Sequence, residues 1–471
     1  MSRAALGLLL PGSSLFQFAL LTACQEAPVR PELVLYVDVD MPVSPEPGVS
    51  PDAVVDSLRI EVYADDDATP FDARSFSINS PTALPLSFGI RGEASASGKV
   101  RVRIRAFRAG FATPGKLKGL PVLDPPPEVS IDRMVTLELP SEGVVSRSVV
   151  LRGDCMGILS HSGIGDGPDT SCIDGAHVAE PTTEGVADGS LAQTVSGSWA
   201  KARIVGCGDG KAPPGAVCVP GGFAIMGDPL FLAINELERD SLPLRPMTLA
   251  PFFMDSTEVT VGELRNLITA GYGGPLPMAP DPLDELDKFC SWSPDTDPSF
   301  ALNCLLVQVA DDVCEARGGR VPSEAQWEYA ARGRGRRDIF VWADATADCC
   351  TANIGYFPGG GCAPEGPEPV ASHPDRDACA GDVTADGIYD LNGGMAELVR
   401  DSVASFADDC WASNTESEIL TDPVCTFAVS RVARGGSWAG TLGQAALPVR
   451  RSYAERDDAH GFRCVYEVAS E

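Results

Sequence analysis

Residues 433–464 read ARGGSWAGTLGQAALPVRRSYAERDDAHGFRC, a glycine turn followed by arginines and a cysteine. A serine in such a turn could act as a nucleophile if it sat in a Gly-x-Ser-x-Gly elbow. Ser437 has Ala439 where the second glycine belongs, which excludes that acyl-transfer chemistry. Arg434, Arg450, Arg451, Arg456 and Arg463 could together hold an anion or a peptide carboxylate. In so acidic a chain, internal pairing with Asp and Glu is the favoured reading. Metal-ligand histidines are not expected. His161, His177, His373 and His460 are scattered, with no H-E-x-x-H spacing and no C-x2-C pair.

Cysteine is the more informative residue. The chain has 15, and setting Cys24 apart leaves an even number, which in an exported chain reads as a disulfide framework. Cys155–Cys172 and Cys207–Cys218 are local staples, and Cys290–Cys304 and Cys410–Cys425 are further local pairs. Cys349, Cys350, Cys362 and Cys379 fall in one insertion, where spacing leaves the connectivity open.

Three helices must position the C-terminal half. TVGELRNLITAG carries a capping box, with Thr260 as cap and Glu263 at the third helical position. Leu264, Leu267 and Ile268 form its apolar stripe, and Gly271 ends it. CLLVQVADDVCEARGG predicts a second helix stopping at Gly318. RVPSEAQWEYAARG opens a third at Ser323, with Gln326 closing another box and Trp327, Ala330 and Ala331 facing inward. Beyond Gly333 the pattern predicts short strands and long loops. Residues 32–153 hold seven alternating runs between Pro, Gly and Asp turns, which predicts an immunoglobulin-like β-sandwich. In KVRVRIRAF, Val100, Val102, Ile104 and Phe107 oppose Arg101, Arg103 and Arg105. Residues 154–217 are rich in Gly, Ser, Thr, Asp and Ala without periodicity and read as a linker.

Composition agrees with this outline. Gly (48) and Pro (39) are abundant and aromatics make up 7%, which favours short strands and turns over a helical bundle. A net charge of −30 argues against nucleic acid and against electrostatic attraction to anionic lipid.

Seven segments in order, VPGGFAIMGD, PFFMDSTEVTVGEL, GGRVPSEAQWEYAARG, ANIGYF, DGIYDLNGGMAELVRD, RVARGGSW and GFRCV, resemble the formylglycine-generating enzyme, or sulfatase-modifying-factor, family. They span 218–467. The resemblance implies an α+β domain of C-type lectin-like fold, so the whole chain is expected to be a β-sandwich followed by that domain. In catalytic members the R-G-G-S turn leads after two residues to a cysteine, and five residues later to another. That pair binds copper(I) and uses oxygen to convert a substrate cysteine to formylglycine, a task suited to soft thiolate ligands. Here those positions are Gly440 and Ala445. No catalytic residue is therefore assigned and copper is not expected. The alternative is a formylglycine-generating oxidase, acting on sulfatase-type cysteine peptides through relocated thiols. A glycan-binding lectin shares the fold, but no sugar-binding carboxylate–amide motif is present.

The resemblance further implies calcium. Asp390 and Glu397 would supply side chains, and Gly393 and Met395 backbone carbonyls. Two carboxylates seven residues apart around a Gly-Gly bend suit a hard cation. A second site would use Asn353 and the Ile354 carbonyl, its acidic partner being replaced near Cys362. The resemblance also implies a disulfide between Cys314 and Cys464, while the family's other bridge is missing, one of its positions being Ala331.

The N-terminal MSRAALGLLLPGSSLFQFALLTAC reads as a signal peptide over residues 1–23, too interrupted to span a membrane. Leu-Thr-Ala-Cys resembles a lipobox, which makes Cys24 the lipidation site. Diacylated Cys24 would anchor the chain in a bacterial envelope, at the outer membrane or cell surface. The expected protein is thus a lipoprotein that binds a protein, peptide or glycan ligand, or serves a structural role.

Overall fold

The computed structural model describes residues 30–64, 67–91, 95–117, 120–160, 170–179, 183–228, 241–281, 283, 287–343, 347–355, 366–376, 379–412, 418–427 and 430–468. The expected leader, Cys24 and Cys362 lie outside these residues. No helix among the described residues is long and apolar enough to cross a membrane.

All seven alternating runs form strands: β1 (Glu32–Val39), β2 (Ser57–Ala64), β3 (Asp72–Ser77), β4 (Leu86–Arg91), β5 (Lys99–Phe107), and two more after a hairpin. That hairpin, β6 (Thr113–Leu117) and β7 (Leu120–Asp124), was not expected. After it come β8 (Ser130–Glu138) and β9 (Val144–Leu151). Alternation places Leu33, Leu35 and Val37 of β1 and Leu58, Ile60 and Val62 of β2 in one core between two sheets. The orders are β3-β2-β5-β8 and, once β12 (Val186–Asp188) is added, β12-β9-β1-β4. β1 runs parallel to β9 and antiparallel to β4. The arginine face of β5 is covered as well. Arg101 and Arg105 are buried, and Arg105 pairs with Glu61.

The stretch 154–217 differs from a bare linker. It holds the hairpin β10 (Thr170–Ile173) and β11 (Ala176–Ala179), and β12 completes a sandwich sheet. Composition hid this because polar contacts and disulfides, not apolar periodicity, fix the segment. Thr194 Oγ1 and the Val195 amide both donate to the buried Asp38 carboxylate. Cys155–Cys172 and Cys207–Cys218 are both bonded.

The C-terminal domain opens with β13 (Ala216–Val219), β14 (Gly222–Met226), β15 (Arg245–Leu249) and β16 (Phe252–Asp255). Three helices follow: α1 (Val261–Thr269), α2 (Val307–Ala316) and α3 (Glu324–Ala331). After them come β17 (Ala396–Ser402), β18 (Leu420–Thr421), β19 (Arg431–Arg434), α4 (Leu442–Ala445), β20 (Arg450–Ser452), β21 (His460–Gly461) and β22 (Val465–Glu467). Both expected capping boxes are present, on Thr260–Glu263 and on Ser323–Gln326. Ile268 departs from its predicted stripe and is exposed, because α1 turns Val261 and Leu264 fully into the core and Leu267 partly, leaving Ile268 outside. The short α4, capped by Thr441 and Gln444, was not anticipated, since four residues carry no helical period. The sheets are β13-β16-β22, β14-β15-β18 and β20-β19-β17-β21.

Sandwich and C-terminal domain share a core. Phe223, Ile225, Leu244 and Ile419 belong to the same apolar cluster as the sandwich strands. Ser50 Oγ accepts the Phe223 amide, and buried Asp52 accepts the Ile225 amide and pairs with Arg337 at 2.9 Å.

Candidate functional site

The glycine turn is built on α3. β17 and β19 pair with Glu397 opposite Arg434, which brings the expected calcium loop beside the turn. Arg434 is fully buried. It donates to Glu324 at 2.8 Å, Glu328 at 2.6 Å and the Leu447 carbonyl at 2.7 Å, and lies over the Trp327 ring. Burial by itself would raise the Glu328 carboxyl, but Arg332 and Arg434 outweigh it and bring it down to about 2. Arg450 closes the network on Glu324 at 2.6 Å. Arg434 and Arg450 are therefore internal ion-pair partners, and Arg463 likewise pairs with Glu397, as the acidic composition favoured.

Gly436 is set by packing. A Cβ there would lie 2.4 Å from the Ala445 Cβ, so the turn and α4 touch only because the side chain is absent. Gly440 precedes the α4 cap and Ala445 is its last residue, wholly buried, its carbonyl accepting the Asn392 side-chain amide. Neither position offers a side-chain donor atom for a metal. All the described cysteines are in disulfides. Cys290–Cys304, Cys314–Cys464, Cys350–Cys379 and Cys410–Cys425 join the two N-terminal staples, and Cys349 is also bonded. Asp348, Cys350 and Cys379 form a close group, but two of its three ligand atoms are the sulfurs of one disulfide.

The carboxylate loop is richer than the sequence indicated. Glu397 is buried, with Arg463 Nε donating to its oxygens at 2.8 and 2.9 Å and the Trp327 indole donating at 2.8 Å. Asp390, at φ 62°, accepts the Ala371 amide at 2.6 Å. Two further buried carboxylates join them. Glu258 lies against Gly394, where a Cβ would fall 2.7 Å from Glu258 Oε1, and accepts the Met395 amide. Asp382 accepts the Asn392 amide at 2.8 Å. Burial first, and the neighbouring Asp390 charge second, push both Glu258 and Asp382 well above the usual carboxylate range, and burial raises Asp390 too.

Three observations fit a hard cation here. Glu258 Oε2 and Asp382 Oδ1 are buried oxygens with no hydrogen-bond partner, and Asn353 Nδ2 is a third orphan. Exchanging the amide ends of Asn353 would turn that orphan into an oxygen. Glu397, Glu258, Asp390 and Asp382 also share the buried arginine Arg463. The three not paired to it do not converge on one point as they stand. A cation would therefore take part of the set together with backbone carbonyls. Gly393 and Asn353 are brought together, the Asn353 carbonyl accepting the Gly394 amide, so the two expected calcium sites adjoin. Sequence reasoning missed Glu258 and Asp382. Glu258 sits two residues before a helix cap and Asp382 in a loop, and neither position carries a periodic signal.

Residues 208–468, more than half of the chain, match the model of the sulfatase-modifying factor enzyme 1-like domain. The chain belongs to that family. Similar solved structures include PvdO from Pseudomonas aeruginosa, at 23% identity and TM-score 0.40, covering 54% of this chain and 94% of that one. Treponema denticola variable protein 1, at 19% and 0.33, covers 53% and 94%. CarF, at 18% and 0.33, covers 53% and 97%. No curated protein matches. The match to the family model begins ten residues before residue 218, inside the Cys207–Cys218 loop.

Proposed function

We propose that this protein is an exported, lipid-anchored lipoprotein whose sulfatase-modifying-factor domain binds a ligand or serves as structure, and does not generate formylglycine. The observation that carries the reading is the pair Gly440 and Ala445 at the positions of the copper thiols. Disulfide bonding of the described cysteines supports it, because an oxidised sulfur is not a thiolate ligand. Calcium acts as a structural ion, held by Asp390 with the Gly393 and Met395 carbonyls, and with Glu258 and Asp382 in place of the expected Glu397, whose oxygens are taken by Arg463 and Trp327. When bound, it supplies positive charge that offsets the buried carboxylates.

The test is to give the folded, oxidised protein copper(I), oxygen, reductant and a sulfatase-type cysteine peptide, then weigh the peptide. Unchanged peptide is expected. Turnover by the wild-type protein that is lost on mutating Cys349, Cys350, Cys362 or Cys379 would show that the ligands have moved. The Gly440→Cys/Ala445→Cys double variant is expected to gain tight Cu(I) binding. For the anchor, Cys24→Ser should release the protein from the detergent phase, and unchanged partitioning would count against lipidation.

A further inference from the structure

One disulfide differs from its companions in how it is covered. Cys155–Cys172, Cys207–Cys218, Cys290–Cys304, Cys314–Cys464 and Cys410–Cys425 each contain at least one buried cysteine. In Cys350–Cys379 both residues are only half-buried, and the adjoining Cys349 is exposed. Thiol–disulfide exchange starts with a thiolate reaching a sulfur of the bridge, so access selects this pair over the five others. A carboxylate stands beside it. Asp348 Oδ1 lies 2.8 Å from the Cys350 sulfur and 3.6 Å from the Cys379 sulfur.

The three groups are held in place by bonds other than the bridge. Residues 348–351 form a turn in which the Thr351 amide donates to the Asp348 carbonyl at 2.9 Å. The Cys350 amide donates to Asp348 Oδ1 at 2.9 Å, and the Asp348 amide donates to Thr351 Oγ1 at 3.2 Å. Cys379 exchanges two backbone hydrogen bonds of 3.0 Å with Arg376. The two sulfurs and a carboxylate oxygen lie within 4.8 Å of one another. Around tetrahedral zinc, sulfur at about 2.3 Å and oxygen at about 2.0–2.2 Å stand roughly 3.5–3.8 Å apart. Opening the S–S bond lets the sulfurs separate to that spacing while the turns keep them beside Asp348.

We propose that Cys350, Cys379 and Asp348 form a zinc site that is closed while the disulfide is intact and opens on its reduction. The reductant is a dithiol. One of its thiolates attacks a bridge sulfur, its second thiol resolves the mixed disulfide, and it leaves as a cyclic disulfide. Its two electrons and two protons are then on Cys350 and Cys379 as thiols. Zinc binds as both thiols lose their protons to solvent, with the Asp348 carboxylate as third ligand and water as fourth. Two thiolates select zinc over the hard calcium ion of the neighbouring loop. Zinc carries no redox chemistry, so the inference does not rest on the copper reading and neither fails with the other.

The experiment treats the full-length folded protein with graded dithiothreitol in the absence of air, and alkylation with peptide mass mapping shows which thiols appear. Cys350 and Cys379 should react before any cysteine of the five better-covered bridges. With the reductant removed, the reduced protein should take up a single zinc ion about a hundredfold more tightly than the oxidised protein. Cobalt(II) in place of zinc should give a thiolate-to-metal charge-transfer absorption. The Cys350→Ser/Cys379→Ser double variant should lose this uptake, and Asp348→Asn, which keeps the bridge, should weaken it about tenfold. Thermal melts of the oxidised proteins show that both variants fold. Earlier reduction of a better-covered bridge, equal zinc affinity before and after reduction, uptake that survives the double variant, or wild-type affinity in Asp348→Asn would each overturn the proposal.

Discussion

Glu397 and Asp382 are both carboxylic side chains within one buried cluster, yet their surroundings differ. Glu397 has Arg463 and Trp327 on its oxygens, whereas Asp382 keeps one oxygen without a partner. A buried charge without compensation destabilises the fold by several kcal/mol, so the second arrangement needs an added cation or a proton. Asp382→Asn should therefore leave the calcium-free protein at least as stable as wild type while shrinking the calcium-induced rise in melting temperature. Calcium at about a hundred times its dissociation constant should add about 2.7 kcal/mol to the wild type. Melts in calcium and in chelator check this, and a calcium shift equal to that of wild type would remove Asp382 from the ligand set.

At the scale of elements, α3 is unusual in that every one of its residues is buried, Glu324 and Glu328 included. Its acids are held by Arg332, Arg434 and Arg450, so the helix is bound by charge as well as by apolar contact. Glu328 falls from an ordinary value near 4.5 to about 2 on folding. A depressed carboxyl contributes stability above its unfolded value, and that contribution is lost as pH falls from about 4.5 towards 2. The shift corresponds to about 3 kcal/mol. Glu328→Gln should cost at least that much near pH 6 and converge with wild type near pH 2, read from denaturant unfolding across that range. A pH-independent gap would mean that packing, not charge, sets the loss. The capping boxes and the seven sandwich strands were legible because each is a local signal, a side chain to its own turn or an alternation of two. The hairpin β6–β7, the strand β12 and α4 were not, because long-range pairing or four residues of turn create them. In the carboxylate loop, Asp390 and Glu397 were legible through spacing and family resemblance. Glu258 was invisible because it lies more than 130 residues from the loop it joins.

At the scale of the whole molecule, the sandwich and the sulfatase-modifying-factor domain share a core. Asp52 and Arg337 form the charged contact between them, with Arg108 at 3.4 Å from the same carboxylate. Arg337→Ala leaves Asp52 under-compensated and should cost roughly 3–5 kcal/mol. A single unfolding transition, lowered in the variant, is the expected calorimetric result, and two independent transitions would show that the halves fold separately. The bridge Cys314–Cys464 adds about 4–5 kcal/mol in the chain-entropy view, since it closes 150 residues. It also imposes an order of assembly. The other described bridges link cysteines 11 to 29 residues apart and can close as the chain emerges. Cys314 must instead wait while Cys349, Cys350, Cys362, Cys379, Cys410 and Cys425 pass, any of which an indiscriminate oxidant could join to it first. Undoing such a pairing takes thiol–disulfide exchange, which runs in seconds to hours. Oxidative refolding is therefore expected to yield more native protein with a disulfide isomerase present than with an oxidant alone, and equal yields would count against this order of assembly.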